Sequence, residues 1–163
     1  MMRCGRGTRA ASGGGGSTLL VGDQAVRSLA GATLNDGYAI YYVWSAVSSG
    51  TALKGFARAK GSFGDTNGKM VVWDNSGTVL QVSSPAVIPG AGGLVEFAFA
   101  GLAIAQGTSY KIGYIADSYT DVGTSAATWE LGYSANNYAA PASNTGTAGD
   151  AAYGVPEIYL MTG

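Results

Sequence analysis

The stretch KMVVWDNSGTVLQVSS, residues 69–84, decides the fold. Two runs rich in β-branched and aromatic residues flank Asn75, Ser76 and Gly77, a link whose small residues tolerate the positive φ of a tight hairpin turn. Upstream, GDTNG (residues 64–68) joins the same stretch to TALKGFARAKGSF (residues 51–63). There Gly55, Ala57 and Ala59 share one parity and Lys54, Phe56, Arg58 and Lys60 the other, the pattern of a strand with one half-wet face.

Working outward, the pattern repeats. GLVEFAFAGLAI (residues 93–104) sets Val95, Phe97 and Phe99 against Leu94, Glu96 and Ala98, and SYKIGYIAD (residues 109–117) aligns Tyr110, Ile112 and Tyr114. YAIYYVWSAV (residues 38–47) is apolar on both parities and predicts a central strand covered on both sides or lying at an interface. STLLVG (17–22) and QAVRSLAG (24–31) read as short strands or a broken first strand, TSAATWELGY (124–133) as another, and VPEIYLMT (155–162) as the closing one. Residues 134–154 read as a long loop. Nine or ten strands at roughly 8–12-residue spacing, joined by Gly-rich turns, predict an all-β fold, an antiparallel β-sandwich of jelly-roll type.

At 163 residues, with 47% hydrophobic and 12% charged residues, the chain is long and apolar enough for one core and too apolar for disorder. Residues 1–16 read as a flexible basic arm, with Gly13 to Gly16 as a hinge, and residues 17–163 as a single domain. Arg3, Arg6 and Arg9 give the arm a charge of +3 with no acid, leaving six basic residues against ten acids, net −4, in the body. That split suits docking of the arm on an acidic neighbour, another protein or a second copy, and marks Arg3, Arg6 and Arg9 as assembly residues. The scattered body cations form no phosphate-tracking stripe, so nucleic acid is not an expected partner. No apolar run approaches a membrane span, and no apolar leader core precedes Leu19 and Leu20, so classical export as a free monomer is not expected either.

Histidine is absent and Cys4 is the only cysteine. A Ser-His-Asp or Cys-His nucleophile cannot be assembled, nor an imidazole or thiolate metal site, and no catalytic residue is assigned. Paired carboxylates would be the remaining catalytic option, but Glu96, Glu130 and Glu157 fall on different strands and read as solvent-facing. No cofactor is expected, calcium excepted: Asp117 and Asp121, with Ser118, place hard oxygen ligands in one loop. Aromatics are plentiful, and Trp44, Trp73, Phe97 and Phe99 read as core. Tyr119, Trp129, Tyr133, Tyr138 and Tyr153 fall at one loop end of the sandwich or in the long loop, where rings stack on sugars or bury at a protein contact, and are the expected binding residues.

From about residue 54 to 118, the succession KGFARAKG, the KMVVWDNSGTVLQVSS hairpin, the PAVIPGAGG loop, VEFAFAGLAIA and QGTSYKIGYIADS resembles a jelly-roll-like β-sandwich accessory domain family of bacteriophage structural and secreted bacterial proteins. The resemblance implies a sandwich used for attachment, decoration or carbohydrate contact, implies no enzymatic activity, and carries over no functional residue. The expected function is therefore a non-enzymatic structural or attachment component of a phage particle, a capsid decoration or fibre-like protein at the virion surface, with other virion proteins or its own copies as partners. The alternative is an extracellular carbohydrate-binding module of a secreted protein.

Overall fold

The computed structural model describes residues 16–34, 37–124, 132–144 and 156–163. Twelve strands run through them: β1 (Leu19–Gly22), β2 (Ser28–Leu34), β3 (Tyr38–Ser45), β4 (Gly50–Gly61), β5 (Thr66–Asp74), β6 (Val79–Val82), β7 (Ala86–Ile88), β8 (Gly93–Ile104), β9 (Ser109–Ala116), β10 (Thr120–Thr124), β11 (Gly132–Ala135) and β12 (Ile158–Met161). Among the described residues there is no helix. All pairings are antiparallel and fall into two sheets.

In the first sheet the long β4 pairs with β8 on one edge and with β12 and β10 in succession on the other, Ile158 opposite Ala57 and Thr120 opposite Gly61. Beyond these lie β1, on β12, and β2, on β10. The second sheet runs β11-β3-β9-β5, and β6 and β7 share the outer edge of β5. Taking β1 with β2, β6 with β7 and β10 with β12 as split strands leaves eight, in the orders 1-8-3-6 and 2-7-4-5, with β11 added beside β3. That is jelly-roll connectivity, two Greek keys folded into a sandwich.

The alternation read from the sequence explains the core. Val95, Phe97 and Phe99 of β8, Ala57 and Ala59 of β4, and Ile158 and Leu160 of β12 face Met70 and Val72 of β5, Ile112 and Tyr114 of β9, and Ile40 of β3. The buried Tyr114 hydroxyl finds its hydrogen-bond partner in Thr120 Oγ1 at 3.1 Å. Strands β3, β5 and β9 are apolar on both parities because the second sheet is covered on both sides. On its outer face Ala39, Tyr41, Val71, Trp73 and Ile115 form a second cluster, against which Val79, Val82 and Tyr138 pack. Residues 136–144 run down that face as a strap. Lys69 Nζ donates to the Tyr138 carbonyl (2.9 Å), Trp73 Nε1 to that of Ala142 (3.0 Å) and Lys111 Nζ to that of Asn144 (3.0 Å).

One expectation needs correcting here. Glu157 does not face solvent: it is 2% exposed, and its carboxylate accepts bonds from Arg58 Nε at 2.5 Å and from the Arg27 amide at 2.9 Å. The bond to Glu157, against the opposing effect of burial, raises the pKa of the Arg58 guanidinium further. Buried charge is tolerated only when paired and hydrogen-bonded, and here the pairing joins residues 99 positions apart. By contrast Glu96 is exposed and meets Lys54 at 3.2 Å across the β4–β8 ladder.

Candidate functional site

Because β4 to β5, β7 to β8 and β9 to β10 each cross between the sheets at the same end, their turns converge there. Thr18 and Thr162 pair at the opposite end, where β1 begins and β12 stops. The converging turns are tied to one another. The Gly61 amide donates to the Pro89 carbonyl (3.1 Å) and the Ser62 amide to the Tyr119 carbonyl (2.9 Å). Gly61 is required at this crossing, since a Cβ there would stand 1.8 Å from the Gly64 carbonyl oxygen, and Gly64 itself takes φ +120°.

Three carboxylates brace this end. Asp65 Oδ1 accepts from the Gly90 amide (2.8 Å), and Asp121 Oδ1 from Ser62 Oγ (3.3 Å). Asp117 accepts from the Thr66 hydroxyl and from the Asn67 amide (2.9 Å) and Nδ2 (2.8 Å). Partial burial opposes ionisation of Asp117, but the bonds from Thr66 and Asn67 outweigh it and hold its carboxyl below the usual carboxylate range.

The turn between β4 and β5 throws Phe63 into solvent, 83% exposed, where its ring meets that of Tyr119 (39% exposed) edge to face at 5.7 Å and 81°. Val87 of β7 is exposed nearby, opposite Asn67 in the ladder. Two depressions flank Asp117 and the residues it braces. One, of about 340 Å³, is lined by Gly37, Asp117, Asn136, Asn137 and Tyr138; the other, of about 260 Å³, by Asp65, Thr66, Asn67 and Val87. Asn136 shapes the first, its Oδ1 accepting from the amides of Asn137 (3.0 Å) and Ala142 (2.9 Å).

Of the residues singled out from sequence, Tyr119 stands on this end, beside Phe63. Tyr138 also reaches it, half-buried: Lys69 Nζ lies 4.4 Å from its ring centroid, and burial, with the charge of Asp117 added, pushes its phenol pKa up. Tyr133 lies in β11, opposite Ile40, with its side chain outside the described residues. Trp129, Tyr153 and the arm residues Arg3, Arg6 and Arg9 lie outside the described residues altogether. Asp117 and Asp121 follow different sheets, Asp117 bracing β5 while Asp121 stands opposite Lys60 of β4. Among the described residues no three His, Cys, Asp or Glu side chains converge as a metal site.

Phe63 was not foreseen. It read as the last residue of a strand, yet that strand ends at Gly61, and the signal was there in the small residues on either side, Ser62 and Gly64, which belong to a turn rather than a strand. Comparison with known proteins gives no match for this chain among family models, curated proteins or solved structures.

Proposed function

We propose that this protein is a non-enzymatic structural or attachment component of a phage particle, a decoration or fibre-like protein displayed at the virion surface with its loop end as the outward contact face. The observation that carries the reading is Phe63, a phenyl ring held almost wholly in solvent at the end of a sandwich. An exposed ring contributes little to folding, whereas burying it on a partner would contribute about 1.5–3 kcal/mol. Its turn is braced on three sides by Asp65, Asp121 and the Tyr119 carbonyl, so the ring is presented on a fixed support.

The jelly roll supports the reading at the level of fold, since virus capsid and lectin domains use this connectivity and a fold alone does not define a function. The absence of histidine, with Cys4 as the sole thiol, supports a role without nucleophilic catalysis. The described chain enters β1 through Gly16 to Thr18 at the opposite end from Phe63, and the basic segment carrying Arg3, Arg6 and Arg9 is the proposed docking element toward the particle or a neighbouring copy. Mass spectrometry of gradient-purified particles from a culture carrying the gene tests the proposal. The protein should be present at a fixed ratio to the major particle proteins; its absence from particles made while it is expressed would overturn the reading.

A further inference from the structure

We infer that the loop end is a binding site for neutral oligosaccharides, with Phe63 and Tyr119 as the stacking platform and the two depressions flanking Asp117 as adjoining hydroxyl-binding subsites. The inference rests on the attachment reading and names the chemistry of its ligand.

A pyranose ring has an apolar C–H face and a rim of hydroxyls, so its receptor needs a flat apolar surface beside fixed hydrogen-bonding groups. Both are present here. The edge-to-face contact with Tyr119 leaves Phe63 83% exposed, enough to offer a ring face to a ligand. Asp65 follows two residues later, with Asn67 and Val87 beside it around the 260 Å³ depression.

The polar groups are positioned before any ligand arrives. A carboxylate offers about four acceptor sites. Asp65 uses one of them on Gly90 and Asp117 three on Thr66 and Asn67, so both are fixed in place with acceptor capacity remaining for hydroxyl donors. Bonds from a hydroxyl to a carboxylate are charge-assisted and stronger than neutral ones. In the 340 Å³ depression Asn137 holds the Ala139 amide through its Oδ1, and Tyr138 closes the wall.

Charge decides the sugar class. Asp65, Asp117 and Asp121 all lie at this end, and the hydrogen bonds to Asp117 keep it ionised. Two cations stand among them, Lys69, whose Nζ binds the Tyr138 carbonyl and lies over its ring, and Lys60, opposite Asp121 in the ladder, so three carboxylates against two ammonium groups leave this end net negative. Sialic or uronic acids would be repelled, whereas neutral hexoses and N-acetylhexosamines would not. A protein partner fits less well. The apolar part of this end is the exposed rings of Phe63, Tyr119 and Tyr38 with Val87, less than the surface of a standard protein interface, which buries roughly 800 Å² per partner.

The test is an array of immobilised mannan, β-glucan and chitotriose beside hyaluronate and polysialic acid, probed with the full-length protein. At least one neutral glycan should retain the protein while both acidic ones do not. Phe63→Ala should weaken retention at least tenfold at an unchanged melting temperature, Phe63→Tyr should retain it, and Asp65→Asn should weaken it severalfold. Retention by none of the neutral glycans, stronger retention by the acidic ones, or unchanged binding by Phe63→Ala would each overturn the inference. Because the array is read on free protein and the particle assay on virions, a failure here leaves the attachment reading separately testable.

Discussion

Replacing Glu157 by alanine should be the most destabilising single change at the seam where β12 closes the first sheet. The carboxylate is 2% exposed and accepts from Arg58 Nε (2.5 Å), Arg58 Nη2 (3.3 Å) and the Arg27 amide (2.9 Å). Its loss strands a guanidinium and a backbone donor together. Breaking a buried pair costs about 3–5 kcal/mol, but the Arg58 side chain keeps 21% exposure and can be partly rehydrated, which brings the expected cost to about 2–4 kcal/mol. For a chain of this size each kcal/mol lowers the melting temperature by about 2–4 °C, so thermal unfolding followed by circular dichroism should show a drop of roughly 4–16 °C. The control is Glu96→Ala, which removes a pair whose side chains are 41% and 50% exposed and should cost less than about 1 kcal/mol. Equal shifts for the two variants would refute the claim that burial of the Arg58–Glu157 pair fixes β12 to β4.

Three further outcomes are expected. Because the Asp117 carboxyl lies below its ordinary range in the fold, its contribution to stability is complete above the unfolded value near ~3.9 and is lost as pH falls below that, so Asp117→Asn should lower the melting temperature at pH 7 and shrink the acid-induced drop; an identical pH profile would contradict this. Trp73→Phe keeps an aromatic ring but removes the bond to the Ala142 carbonyl and leaves a cavity where the rest of the indole stood, and should speed amide exchange across residues 136–144 at a cost of about 1–3 kcal/mol, with unchanged exchange counting against the strap's anchoring. Adding EDTA should leave the melting temperature where it was; a fall reversed by calcium would establish an ion held by Asp117 or Asp121.

The strands were largely legible because their signals are local. The NSG link appears as the turn between β5 and β6, and the double-sided apolar run at 38–47 became β3, covered on both faces. What escaped reading depends on partners distant in sequence. Lys111 alternates with core residues as a wet-face lysine would, yet it is 7% exposed because residues 136–144 close over it. Those same residues read as part of a long contact loop, and the donors that lay them on the second sheet, Lys69, Trp73 and Lys111, all come from other strands. Glu157 read as exposed for the same reason, its partner lying in β4. At the site, the aromatic content of the loop end was foreseen through Tyr119, whereas Phe63 was hidden because the expected strand ran two residues past the true end of β4.

The central claim, that the loop end is the contact face of a particle component, is tested most directly by particles carrying either the natural protein or Phe63→Ala, compared for adsorption to host cells. Phe63 is exposed and stands at the opposite end from Thr18, where the described chain enters β1, so both forms should be incorporated equally, and the variant particles should adsorb at least tenfold less. Equal adsorption, or failure of the variant to enter particles at all, would contradict the assignment of this end as the outward contact face.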